Sequence, residues 1–84
     1  MKKYKITAVK VTKLTEKEFP DLGAKIKAAR KQMDRPLSLI AADAGMSAGN
    51  WYRIENGDAK SVPLETVRAI EAALGIDLGV SFED

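Results

Sequence analysis

Residues 40–57, IAADAGMSAGNWYRIENG, constrain the fold more than any other stretch of this chain. Ile40, Ala41 and Ala44 fall on one face of a short helix. Gly45 then permits a sharp bend, because glycine enters the left-handed backbone region without a steric penalty. Ser47 is a residue type that caps helix N-termini, so a second helix is expected to start just after it. Trp51 and Ile54 turn one face of that helix inward, and Gly57 closes it. Two short helices joined in this way leave the second one with a whole outward face to explain.

A turn of about three to four residues containing glycine, set between two such helices, is the helix-turn-helix signature, and its second helix is the one that enters a DNA major groove. On a helical projection with Ala48 at zero, Tyr52 falls at roughly 40°, Asn56 at roughly 80°, Gly49 at roughly 100° and Arg53 at roughly 140°. Ile54, Trp51 and Glu55 fall at roughly 240°, 300° and 340°, on the inward arc, with Asn50 at the boundary near roughly 200°.

Composition narrows the chemistry. Eighty-four residues suit one small domain, residues 1–84, with a modest core. At 45% apolar and 31% charged, the chain has the balance of a folded soluble protein. Without cysteine there is no disulfide, zinc–cysteine cluster or thiol nucleophile, and without histidine the commonest general base and metal ligand is missing. Asp21, Asp34, Asp43 and Asp58 sit in cap and turn contexts, and no Gly-rich phosphate loop or nucleophile–base pair occurs. No catalytic residue, metal site or cofactor is expected, and the chain does not read as an enzyme. No apolar run approaches the roughly 20 residues of a membrane span. Lys10 and Lys13 interrupt the start MKKYKITAVKVTKL, which would otherwise resemble a signal peptide, so a cytoplasmic protein is expected.

Charge is unevenly spread: residues 1–18 carry +4, residues 19–62 carry +2 and residues 63–84 carry −4. A basic front suits a protein that presents one side to a polyanion, while pairing of the basic N-terminal segment with the acidic C-terminal one accounts for the same distribution.

Along the chain, residues 4–12 alternate apolar and polar with a phase slip between Ala8 and Val9, which predicts an N-terminal strand with a bulge or bend. Thr15 and Glu18 match a capping box with Leu14 and Phe19 as its staple, predicting a single helical turn stopped by Pro20. A helix follows from about residue 20 or 21 to Met33, with Leu22, Ile26, Ala29 and Met33 as one buried stripe and Lys25, Lys27 and Lys31 pointing elsewhere. Pro36 sits near the first turn of the helix over residues 37–44, and residues 58–62 form a loop. Pro63 opens a last helix through about Leu74, with Leu64, Val67, Ile70 and Leu74 as its stripe and Gly75 as its stop. Strict alternation over residues 76–82 predicts a C-terminal strand, and two strands alone are marginal, so the terminal strands are expected to pair with each other. The chain therefore divides into an N-terminal β extension (1–19), a helix-turn-helix core (20–76) and a C-terminal strand (77–84).

From residue 22 to 76 the chain resembles the Cro/C1-type helix-turn-helix family, the lambda-repressor-like or XRE-type domain. IKAARK (26–31) is similar to the family's first helix with its arginine, IAADAGMS (40–47) to its Leu-Ala-x-x-x-Gly-Val-Ser run, RIENG (53–57) to its Arg-Ile-Glu-x-Gly, and PLETVRAIEAALGI (63–76) to its fourth helix. The resemblance implies a mainly α fold of four to five helices, to which the strands are additions. It also implies an ion pair between Arg30 and Glu55 that ties the first helix to the recognition helix, making Glu55 structural, with Trp51 as a core anchor.

The chain departs from the family where side chains usually meet DNA. A glutamine that clamps a phosphate commonly starts the second helix, and here that residue is Leu37. Base-reading side chains usually start the recognition helix, and here Ala48 and Gly49 stand there, leaving contact with thymine methyls or close backbone approach. Base contacts then fall to Arg53, Tyr52 and Asn50, while Asn56, Lys60 and the backbone amides around Ser47 suit phosphates.

These features together predict sequence-specific double-stranded DNA binding by a repressor-type transcriptional regulator. A homodimer would read two half-sites about one helical turn apart, with Ile76, Leu78, Val80 and Phe82 as a candidate dimer edge. The alternative is an antitoxin or other protein-interaction module that keeps the fold and binds a partner such as a toxin, with weak or no specific DNA binding.

Overall fold

A computed structural model describes residues 8–82. In chain order it contains β1 (Val9–Thr12), β2 (Glu16–Phe19), α1 (Leu22–Gln32), α2 (Leu37–Asp43), α3 (Ala48–Glu55), β3 (Val62–Pro63) and α4 (Leu64–Leu74). The fold is mainly α, with four helices and a three-stranded sheet in the order β2-β1-β3.

The apolar stripes do what their spacing requires. Leu22 and Ile26 of α1 are buried, with Ala29 and Met33 packed partly against them. Ile40 and Ala41 of α2, Trp51 and Ile54 of α3, and Val67, Ile70 and Leu74 of α4 complete the helical side of one core. Burying a side chain of this size contributes about 1.5–3 kcal/mol, so few positions in so small a core are dispensable. Gly45 makes the bend between α2 and α3 at φ 75°, a conformation that a residue with a Cβ adopts only under strain. The loop between α3 and β3 starts from Gly57.

The β side differs from its sequence pattern in three respects. β1 begins at Val9, with Val9 and Val11 buried and Lys10 exposed, while the part of the expected strand before residue 8 lies outside the described residues. The expected helical turn over residues 14–19 is instead β2, antiparallel to β1 with Val9 opposite Phe19 and Thr12 opposite Glu16. Leu14 sits at the tip of that hairpin, 95% exposed, so it makes no staple; Lys13 N–H donates to the Thr15 carbonyl at 3.0 Å and closes the turn. The other edge of β1 is taken by β3, a two-residue parallel pairing of Val11 with Val62 that the sequence pattern does not announce.

The C-terminal segment departs from its pattern as well. Residues 76–82 form no strand and do not pair with β1. Their alternation is real: Leu78 and Val80 are buried, Phe82 packs edge-on against Phe19 with ring centroids 6.1 Å apart, and Ile76 is 41% exposed. The backbone, however, is claimed by side chains rather than by a ladder. Leu78 N–H donates to Glu71 Oε2 at 2.8 Å, Arg68 Nη2 donates to the Val80 carbonyl at 2.8 Å, and Lys17 Nζ donates to the Ser81 carbonyl at 3.0 Å. Gly79, at φ 76°, donates to Asp77 Oδ1 at 2.7 Å, a local turn incompatible with an extended strand. The apolar residues expected to form a dimer edge are thus largely spent inside the chain's own core.

Candidate nucleic-acid interface

α3 is held from within by a polar cluster. Ser47 Oγ accepts from Asn50 N–H at 3.1 Å, an N-cap that satisfies one of the free amides at the helix start. Trp51 is fully buried, with no part of its indole at the surface, and Nε1 donates to Glu55 Oε2 at 2.6 Å, one helical turn along. The same carboxylate receives Arg30 of α1 in a two-pronged arrangement, Nε to Oε2 at 2.6 Å and Nη2 to Oε1 at 3.1 Å. The ion pair expected from the resemblance is therefore present, and Trp51 is a third member, for which the i, i+4 spacing of Trp51 and Glu55 is the sequence signal. Glu55 is the one buried charged side chain among the described residues, and no buried side-chain nitrogen or oxygen among them is left without a partner.

The hydrogen bond to Glu55 raises the pKa of Arg30; burial opposes the shift, and attraction to Glu55 and Tyr52 adds to it. A group raised in the folded state stabilises fully below its unfolded pKa and loses that contribution only as pH rises through the folded value. For a guanidinium that window lies above any working pH, so Arg30 remains a fixed cation.

The outward face carries the expected residues in the projected order. Gly49, Asn50, Tyr52 and Arg53 are exposed, Ala48 and Asn56 are half-buried, and Ser47 is exposed but engaged as the cap. Asn50 Nδ2 lies 3.9 Å from Met46 Sδ, which turns it back toward the bend. Tyr52 is 46% exposed, and its ring lies over the Arg30 guanidinium, 5.6 Å from ring centroid to Cζ. Nothing in the spacing of residues 30 and 52 signals this stacking, since it exists only once α1 lies against α3. Arg53 is exposed in the last turn of α3; its carbonyl accepts from Asp58 N–H at 2.8 Å, while its side chain makes no hydrogen bond or ion pair among the described residues. Asn56 is the C-cap residue, and Lys60 is exposed in the loop beyond the helix.

α2, the other half of the unit, starts at a half-buried Leu37 that packs against the core, so its side chain offers no polar group. Arg35 pairs with Asp43 across α2 at 2.8 Å, both exposed, which fixes one cation beside the helix. Of the other aspartates, Asp21 occupies the N-cap position of α1 without a side-chain hydrogen bond to it. An open groove of about 390 Å³ lies at the sheet end, lined by Thr12, Lys13, Pro63, Leu64, Glu65 and Arg68. Among the described residues no cluster of acidic side chains could hold a metal ion, and no helix is long and apolar enough to cross a membrane.

Residues 21–80 match the family model described as a helix-turn-helix domain, a span that takes in all four helices, β3 and most of the C-terminal segment. No curated protein and no solved structure matches the chain.

Proposed function

This chain belongs to the helix-turn-helix domain family, and on that premise we propose that it is a sequence-specific double-stranded DNA-binding protein of the Cro/C1 type, acting as a repressor-type transcriptional regulator in the cytoplasm. The observation that carries this reading is the division of α3: Trp51, Ile54 and Glu55 are buried while Gly49, Tyr52 and Arg53 face outward on a capped helix that follows a tight glycine bend. In this reading α3 enters the major groove. Arg53, exposed and uncommitted, contacts a guanine edge; Tyr52 and Asn50 lie against the bases; Asn56, Lys60 and the amides around Ser47 and Ala48 meet phosphates. DNA binding by such a helix depends on salt, since each neutralised phosphate releases condensed counterions.

Specific recognition by so small a module calls for two copies on two half-sites about one turn of DNA apart, and we read the active form as a homodimer. Its contact surface must be other than the edge formed by Leu78 and Val80, which are buried. Sedimentation at micromolar concentration tests this, and a strict monomer with and without DNA would overturn it.

The binding test is titration against duplexes from beside the protein's own coding region, at several salt concentrations, with Arg53→Ala in parallel. The expected result is a steep fall of affinity with salt and a loss of about 1–3 kcal/mol in the variant. No duplex binding even at low salt would favour the second reading, a protein-interaction module such as an antitoxin. The lack of polar side chains at Ala48 and Gly49, at the start of α3, is the feature that favours it.

A further inference from the structure

Tyr52 lies on the outward arc of α3, on the side nearer α1, and its position is determined from two sides. Its backbone belongs to a helix anchored by Trp51 and Glu55, and one face of its ring lies on Arg30, whose guanidinium Glu55 grips at two points. A half-exposed aromatic side chain on a free helix surface would lose rotamer freedom on meeting a ligand, whereas this one is already ordered. Tyr52 as a whole remains 46% exposed.

Toward the start of α3, the positions beside that ring hold no side-chain donor or acceptor. Ala48 lies one turn back along the same face, and Gly49 leaves open space where a Cβ would stand, with Ser47 Oγ, already engaged by Asn50, at 4.0 Å. The ring and the Ala48 methyl group therefore form an apolar strip along one side of the exposed arc, with Asn56 and Arg53 as its polar neighbours. The major-groove edge of a base pair displays one apolar group, the C5 methyl of thymine, and 5-methylcytosine displays the same group in the same groove.

We infer that Tyr52, held by Arg30, is a specificity-determining residue that reads a pyrimidine C5 methyl group in the major groove. This rests on the reading of α3 as the helix that enters DNA. It assigns the central contact of the half-site to the Tyr52 ring rather than to a hydrogen bond, and it gives Arg30 a second role as the support of that ring.

The test uses the full chain and a duplex selected by it from a randomised library. Each thymine of the selected site is replaced in turn by deoxyuridine, which removes only the methyl group, and each cytosine by 5-methylcytosine. At one thymine of each half-site the replacement should weaken binding about fourfold, the effect of one buried methyl-sized group. Tyr52→Ala should abolish that ratio, with folding checked by the thermal melt of the variant. Tyr52→Phe, whatever it does to absolute affinity, should retain it. If methylating one cytosine of each half-site strengthens binding in a Tyr52-dependent way while no thymine-to-deoxyuridine replacement weakens it, the methyl that is read is that of 5-methylcytosine. A selected site bound equally well with and without every methyl would overturn this inference and leave DNA binding intact, as would a methyl ratio that Tyr52→Phe removes. Failure of the library to yield any bound duplex would overturn DNA binding itself.

Discussion

The two halves of α3 share one helix and one set of backbone hydrogen bonds, yet they are built on opposite terms. On the inner half every polar atom has a committed partner: Glu55 holds Arg30 and Trp51 at once, in a setting where an unmatched charge would be severely destabilising. On the outer half Gly49 faces open space, Arg53 is uncommitted among the described residues, and Tyr52 touches the rest of the molecule through a cation at its face. The contrast shows where stability resides and where change is tolerated. Substitutions on the inner face should be read in unfolding experiments, and those on the outer face in binding experiments.

The largest effect should come from Glu55→Ala, which strands Arg30 and the Trp51 N–H together. Breaking a buried pair from one side costs about 3–5 kcal/mol, a large share of the roughly 5–15 kcal/mol that holds a domain together. Urea denaturation should show either a deeply shifted midpoint or no folded baseline, and a shift of under about 1 kcal/mol would contradict the cluster's role. Next, Arg53→Ala should leave stability within about 0.5 kcal/mol of the parent while DNA affinity falls by about 1–3 kcal/mol. A matching loss of stability would place Arg53 on the wrong side of the comparison. Ser47→Ala removes the cap from Asn50 N–H and should cost about 1 kcal/mol of stability. Gly49→Ala is the smallest and the most telling. Its new Cβ meets nothing closer than Ser47 Oγ at 4.0 Å, so the fold should gain up to about 1 kcal/mol from helix propensity. If DNA approaches this position closely, affinity should drop in the same variant, so stability and binding would move in opposite directions.

The C-terminal segment offers a second comparison, with β1. Both have alternating apolar residues and both bury them, yet one is a strand and the other is not. Alternation reports which side chains face the core; it does not report where the backbone finds its hydrogen bonds. In residues 76–82 three of those bonds go to the Glu71, Arg68 and Lys17 side chains, which alternation does not indicate, and a fourth closes the local turn from Gly79 to Asp77. The same limit explains residues 14–19. Their capping-box spacing is genuine, but the gain from a cap is about 1 kcal/mol, and edge pairing along β1 outweighs it.

Much of this protein was legible in the sequence because its physics is local. The stripes of α1 and α4, the cap at Ser47, the bend at Gly45 and the division of α3 into inward and outward arcs all follow from helical spacing and residue chemistry, and so does the scarcity of polar side chains at Ala48 and Gly49. Tertiary structure decided the rest, because it depends on which distant segments meet. β1 takes β2 and β3 as partners rather than the C-terminus, and Arg30 of α1 comes to lie beneath Tyr52 while it grips Glu55. A helix projection can place Tyr52 on the outer face, but only the packing of α1 against α3 gives its ring a fixed orientation there.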